Sequence, residues 1–183
     1  MFDTLLDELQ RWNRTFNLTA VRDREGMLTA HIEDSLSARP LLNGDRILDV
    51  GTGAGFPGLP LAIVEPQRQF VLVDSNNKKI QFVQHAAGLL GLDNVTAIWS
   101  RTEDYAPDER FDTVIARAVA TLARLVEIAG HHVGEGGVFV ALKGRHPADE
   151  LQELPAGWEC TVTELEVPGL ETGSRHAVLM RRN

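Results

Sequence analysis

The stretch Ile47-Leu48-Asp49-Val50-Gly51-Thr52-Gly53-Ala54-Gly55-Phe56-Pro57-Gly58 decides how this chain is read. It contains a literal G-x-G-x-x-G, from Gly53 to Gly58, and an acid, Asp74, follows roughly 20 residues on. That comes close to the fingerprint of a dinucleotide site. In such a site, however, the first glycine directly follows the first strand. The run Arg46–Val50 predicts a strand ending at Val50, so the first glycine is Gly51. Counted from there, the third fingerprint position is Phe56, too large for the close helix–strand contact that glycine provides.

Outward from this stretch the chain alternates. Strands are expected at Arg46–Val50, Gln69–Val73, Val95–Trp99, Phe111–Ala116 and Val138–Leu142. Helices are expected at Pro57–Val64, Asn76–Leu90 and Thr121–His132. Strands spaced by helices imply βαβ units and a doubly wound parallel sheet. The end breaks the rule. Trp158–Val167 and His176–Arg181 are strand-like, and only Pro168-Gly169-Leu170-Glu171-Thr172-Gly173 separates them clearly, which predicts an antiparallel hairpin at the sheet edge. The beginning differs too. Leu5, Leu6, Leu9, Trp12 and Phe16 recur at helical spacing, and a second helix is expected over Glu25–Ala38, with Met27, Leu28, Ile32, Ser35 and Leu36 on one side. Pro40 and Asn43-Gly44 close it. The fold class is therefore α/β: a Rossmann-like sheet, mostly parallel with a C-terminal antiparallel hairpin, plus an N-terminal helical cap. Residues 1–44 form the cap and 45–183 the sheet domain, expected as one compact unit.

A chain of 183 residues suits such a unit, and 43% hydrophobic with 24% charged residues is ordinary for a soluble globular protein. No run approaches the ~20 apolar residues of a membrane span. Met1-Phe2-Asp3-Thr4-Leu5 lacks a basic region and a cleavage site, so no signal peptide is expected. Cys160 is the only cysteine, which favours a reducing, cytoplasmic setting. The net charge of −8 disfavours indiscriminate binding to nucleic acid and leaves a small-molecule acceptor, or a local basic patch, open.

The acids select among cofactors. Asp49 sits in the end of the first strand, Asp74 at the end of the second, and Glu103 shortly after the third. Strand C-terminal ends line the ligand crevice of open α/β sheets. Three carboxylates there would repel a pyrophosphate. They suit a ligand with a cationic centre, a ribose diol and a 6-amino purine, which describes S-adenosylmethionine. Asp74 can accept from both ribose hydroxyls, and the Thr102–Glu103 stretch can meet the adenine edge. Gly51, Gly53 and Gly55 allow close backbone approach to the methionyl part, beside Asp49. Pro57 suits a first helical turn. Each acid also has a plainer use: Asp49 as a turn cap, Asp74-Ser75-Asn76 as a helix N-cap, Glu103 as a solvated carboxylate.

Trp12-Asn13-x-x-x-Asn17-Leu18-Thr19-Ala20, His31-x-x-Asp34-Ser35-Leu36, Asp49 to Gly58, Asp74-Ser75, Arg117-Ala118, Lys143-Gly144 and Arg175-His176 together resemble the bacterial RsmG (GidB) family. The first two segments are far more specific than the glycine loop. The resemblance implies methyl transfer from S-adenosylmethionine, leaving S-adenosylhomocysteine, to N7 of one guanine in 16S rRNA, in the 530 loop of the small ribosomal subunit or its precursor. It implies that Gly51, Phe56, Thr102, Glu103 and Arg117 contact the cofactor, with Asp74 as the ribose acid, and that no metal takes part.

Guanine N7 has a free lone pair, so no catalytic base is expected. The work is positioning, for which His31, Asp34, Arg117, Lys143 and Arg175 are candidates. His31 and Asp34 lie three residues apart on a helix and are expected to pair. Arg117 can grip the methionine carboxylate or an RNA phosphate; its plainer reading is a salt bridge to Asp112 or Glu103. Arg11, Arg14, Lys143, Arg145 and Arg175 are candidates for RNA contact. Rival readings are a small-molecule methyltransferase, a nicotinamide oxidoreductase and a non-catalytic S-adenosylmethionine-binding module. A monomer with no membrane contact is expected.

Overall fold

The structure is a computed structural model describing residues 1–170 and 172–183. In chain order the cap comprises α1 (Phe2–Phe16), α2 (Arg24–Met27), a π-helical turn (Leu28–Glu33), α3 (Asp34–Leu36) and a 3-10 turn (Arg39–Leu41). The sheet region follows with β1 (Arg46–Val50), α4 (Gly58–Val64), β2 (Gln69–Asp74), α5 (Asn77–Leu90), β3 (Val95–Trp99) and β4 (Phe111–Arg117). Then come α6 (Leu122–Ala129), β5 (Val133–Lys143), α7 (Ala148–Gln152), β6 (Trp158–Leu165) and β7 (Arg175–Arg182).

The strands form one sheet of order β3-β2-β1-β4-β5-β7-β6. β1 to β5 run parallel, while β7 joins β5 antiparallel and pairs outward with β6. The expected terminal hairpin is present; Glu171, in its connection, lies outside the described residues. The order reverses between β1 and β4. Helices leave the sheet in opposite directions there, which opens a crevice at the strand C-termini. Register sets what faces it. Val50 is level with Val73 on one side and Ala116 on the other, so the next residue of each strand places Gly51 between Asp74 and Arg117.

Local chemistry sets the element ends. Asn76 caps α5, its Oδ1 accepting from the N–H groups of Lys78 and Lys79, and Gly91 closes it at φ 65°. The expected helix from Pro57 begins instead at Gly58, with Pro57 in the N-cap place. The helix expected to reach His132 ends at Ala129, and a 3-10 turn, Gly130–His132, leads into a strand that starts well before Val138. The second cap helix is corrected most. Its π turn adds a residue to the ring of hydrogen bonds and rotates the face below it. Leu28, expected inside, is 41% exposed, and the buried set is Met27, His31, Ile32, Asp34 and Ser35. Phe16 likewise lies 39% exposed at the end of α1.

Cap and sheet share apolar contacts. Leu5, Leu6 and Leu9 lie in one buried cluster with Phe56, Leu59 and Phe82, and Trp12 meets Phe82 edge-on at 5.7 Å between ring centroids. Truncating Leu9, which is 0% exposed, removes a side chain from the seam itself. Leu9→Ala is expected to lower the unfolding free energy by about 2–5 kcal/mol. Urea denaturation followed by circular dichroism and by tryptophan fluorescence should give one coincident transition for both proteins. A separate early transition in the variant would show that the cap unfolds on its own.

Candidate functional site

The glycine loop is held from below by a buried acid. Asp49 is 0% exposed, and its Oδ2 accepts from Thr52 Oγ1 at 2.6 Å and from the Gly58 N–H at 2.8 Å. The two bonds tie the start of the loop to the start of α4. Gly58 is required by this approach, because a Cβ there would lie 2.7 Å from Asp49 Oδ2. Asp49 was expected to meet the cofactor. It does not line the cavity: its Oδ2 is spent on the loop's own groups, and its buried Oδ1 has no hydrogen-bond partner among the described residues. Burial pushes its carboxyl up to about 6, against the pull of the Thr52 and Gly58 hydrogen bonds and the Arg117 charge; the Asp74 charge raises it further.

Asp74 holds the other side of the loop. Its Oδ2 accepts from the Gly53 N–H at 2.9 Å and its Oδ1 from the Asn76 N–H at 2.8 Å. Each oxygen keeps a lone pair for a ligand. Gly53 has φ 62°, a left-handed conformation that favours glycine, and the space where a Cβ would stand is open apart from Lys79 Nζ at 3.9 Å. The N-cap anticipated at Asp74-Ser75-Asn76 belongs to Asn76.

A cavity of about 540 Å³ lies over the loop. Gly51, Gly53 and Phe56 form its sheet side, while Thr19, His31 and Asp34 form its cap side. Asp34 is the hinge of that second wall. Its Oδ2 takes Arg117 Nη1 at 2.9 Å and its Oδ1 takes Arg175 Nε at 2.8 Å. Arg117 also donates to the Ala30 carbonyl at 2.6 Å and lies over the Phe56 ring at 5.7 Å. So the expected His31–Asp34 pair does not form, and Arg117 is paired with neither Asp112 nor Glu103. The π turn explains both: it swings Asp34 beneath Arg117 and leaves His31 stacked on Phe56, 4.7 Å between centroids and 19° between planes. His31 Nδ1 is 3.5 Å from Arg117 Nη2, and Nε2 is 2.8 Å from Thr19 Oγ1. Burial, aided by the Arg117 charge, holds its imidazole down at about 4, against the Ala30 carbonyl and Asp34.

The remaining expected residues divide. Arg117, Lys143 and Arg175 line the cavity; Asp49, Gly55, Asp74, Thr102 and Glu103 do not. Thr102 is buried in a 3-10 turn after β3, its carbonyl bonded by His132 at 3.0 Å, and Glu103 is exposed, 3.6 Å from Arg124. Lys143 is tied to Glu150 at 2.7 Å and to the Ala120 carbonyl at 2.8 Å. Arg145 and Arg14 are exposed, and Arg11 pairs with Glu8 at 2.6 Å. Four contributors, Asn13, Thr19, Lys79 and Glu150, have no role assigned from the sequence. Asn13 clamps the turn after α1: its Oδ1 accepts from the Thr19 N–H at 2.9 Å and its Nδ2 donates to the Thr19 carbonyl at 3.0 Å. Thr19 carries that order to His31. Lys79 adds a cation to the rim. The W-N-x-x-x-N-L-T pattern held the signal for the first two; nothing in the sequence pointed to Glu150 on α7. Among the described residues no three His, Cys, Asp or Glu side chains gather as a metal site, and no helix is long and apolar enough to cross a membrane.

Comparison with known proteins agrees with this architecture. A family model described as GidB, rRNA small subunit methyltransferase G, matches residues 1–178. A ribosomal RNA small subunit methyltransferase G of Aeromonas salmonicida is 50% identical over 173 residues, 94% of this chain and 83% of that protein. One from Idiomarina loihiensis is 46% identical over 179 residues, 97% of this chain and 86% of that protein. Among solved structures, a DhpI–SAH complex aligns with a TM-score of 0.64 at 18% identity, covering 99% of this chain and 96% of that one. A ribosomal protein L11 methylase from Lactobacillus delbrueckii aligns with a TM-score of 0.63 at 15% identity, covering 82% and 77%. The fold is that of class I methyltransferases.

The high position of the Asp49 carboxyl has a testable sign. The folded chain binds this proton more tightly than the unfolded chain, whose carboxyl sits near 3.8. Its contribution to stability is present at low pH and lost as pH rises through about 6. Asp49→Asn removes the titration. The stability of the variant minus that of wild type should therefore increase between about pH 4 and about pH 7 and level off above, read by urea melts. Parallel profiles would show that Asp49 does not titrate in this range.

Proposed function

The chain belongs to the rRNA small subunit methyltransferase G family, and on that premise we propose that it transfers a methyl group from S-adenosylmethionine to N7 of a guanine in 16S rRNA, in the 530 loop of the small subunit. The observation that carries this reading is the two-walled cavity. One wall is the glycine loop beside Asp74, at the switch point where such sheets bind ligands. The other is the cap wall of Thr19, His31 and Asp34, on whose carboxylate Arg117 and Arg175 converge beside the stacked His31 and Phe56 rings, suited to an RNA base and its phosphates.

S-adenosylmethionine supplies a methyl made electrophilic by its sulfonium. The loop fits it: Gly53 leaves room for close approach, Gly51 has no side chain to meet Val119, and Asp74 retains acceptor capacity for the ribose hydroxyls. Asp49 supports the loop rather than the ligand. Thr102 and Glu103, in the 3-10 turn after β3 and beyond the cavity lining, are assigned to the adenine end. The acceptor's N7 lone pair forms the new N–C bond as the C–S bond breaks toward sulfur, and no proton leaves first. His31 suits this, since its ring is neutral and both nitrogens are already partnered. Arg117 and Arg175 share the single carboxylate of Asp34 and stay net positive together. With Lys79, and with Lys143 paired to Glu150, they leave the cavity locally positive within a chain of net charge −8. That local sign suits phosphate, and the overall sign disfavours grip on naked RNA. The acceptor is thus the assembled or partly assembled small subunit, which places the reaction in the cytoplasm.

Labelled S-adenosylmethionine incubated with unmodified small subunits should mark one guanine, mapped by mass spectrometry of nuclease fragments. Free 16S rRNA should be methylated more slowly; equal rates would refute the particle as substrate. Arg117→Ala should lower kcat/KM by about 10- to 100-fold, the loss of a charged hydrogen-bond group. The acidic net charge favours one alternative, a small-molecule acceptor. Turnover without ribosomal material and no label in subunits would establish it.

A further inference from the structure

We propose that the Thr19 hydroxyl donates its hydrogen to O6 of the acceptor guanine and thereby selects guanine over other purines. This rests on the guanine-N7 reading above.

The inference follows from counting the donors and acceptors around one oxygen. Thr19 Oγ1 has two polar neighbours, the Val21 N–H at 3.2 Å and His31 Nε2 at 2.8 Å. A hydroxyl has two lone pairs and one hydrogen. The Val21 N–H can only donate, so it takes one lone pair. What the imidazole does is decided at its other nitrogen. His31 Nδ1 faces Arg117 Nη2 at 3.5 Å, and a guanidinium only donates; the Ala30 carbonyl, an acceptor that also acts on the ring, already takes Arg117 Nη1 at 2.6 Å. On the Arg117 contact the assignment is that Nδ1 presents its lone pair. In the neutral ring the proton then sits on Nε2 and points at Thr19 Oγ1. Both lone pairs of the hydroxyl are used, and its hydrogen has no other acceptor among the described residues. The buried ring is held neutral down to about 4, so it carries a single proton across the physiological range.

The threonine that carries this hydrogen stands in the wall of the cavity. Thr19 lines it next to Leu18, Ala30 and His31, across from the glycine loop. The residue cannot drift, because Asn13 holds both its N–H and its carbonyl. The edge of guanine that carries N7 presents two acceptors, N7 and O6. N7 must keep its lone pair free for the methyl group. A fixed donor beside it is thus matched to O6. Adenine presents an amino group at the same place, donor against donor, leaving both groups unpaired.

The test is a cycle between the side chain and the base. Small subunits are reconstituted with guanine, or with 2-aminopurine, at the nucleotide mapped as methylated. 2-Aminopurine keeps N7 and lacks O6. Wild type should lose about tenfold in kcat/KM on the analogue beyond any loss shared with the variant, the range of one hydrogen bond. Thr19→Val should lose about tenfold on guanine yet discriminate little between the two bases. Thr19→Ser should behave as wild type. Any change in N7 reactivity of the analogue, or damage to the cap from the valine, acts equally along one side of the cycle and cancels. If Thr19→Val loses the same factor on both bases, the proposal is overturned, because the threonine is then only structural. Wild type that ignores the loss of O6 also overturns it. Failure of wild type to methylate the guanine-bearing subunit would instead overturn the guanine reading, and the proposal with it.

Discussion

The carboxylate of Asp34, held between Arg117 and Arg175, joins three parts of the chain that are remote in sequence: the cap, the end of β4 and the start of β7. Asp34 is only 7% exposed, so its charge would be expensive to bury unpaired. Both guanidinium groups are held at the cavity by this acid, Arg117 with the Ala30 carbonyl as a second partner and Arg175 with the Ser174 carbonyl. One acid thus fixes the cap against the sheet and sets the direction of two cations. The terminal hairpin, which looks like an appendage to the sheet edge, delivers Arg175 to this site.

A second buried acid works in the opposite sense. Asp49 meets no cation directly and faces only a hydroxyl and a backbone N–H, which leaves its carboxyl raised to about 6. It gives shape to the glycine loop at the expense of a desolvated oxygen. Together with Asp74, which restrains Gly53 from the side, it preorganises the loop before any ligand arrives. The contrast between Asp34 and Asp49 separates two uses of a buried carboxylate: one orients charge, the other orients backbone.

The parallel sheet, the switch point and the hairpin were legible because each rests on a local pattern: apolar runs of strand length, helices between them, and a connection too short for a helix. The register of the glycine loop was legible because Phe56 occupies a place that a dinucleotide site reserves for glycine. Phe56 proved to have a further role, as the plate on which His31 stacks. Less legible were features set by an extra residue in a turn. Reading Glu25–Ala38 as one regular helix placed Leu28 inside and paired His31 with Asp34. The π turn reverses both, and the residue just after it, Asp34, is paired with Arg117 and Arg175 from distant parts of the chain.

By itself the sequence determined the fold class, the position of the ligand crevice and the identity of the acids and arginines near it, since periodicity and strand ends are properties of neighbouring residues. Partnership was decided only by the tertiary structure. Which carboxylate faces a ligand and which is consumed by its own loop, which arginines share Asp34, and which nitrogen of His31 keeps its proton all depend on groups that are far apart along the chain. Hydrogen-bond capacity is finite and local in space, so a residue's free donors and acceptors are known only after its neighbours have taken theirs.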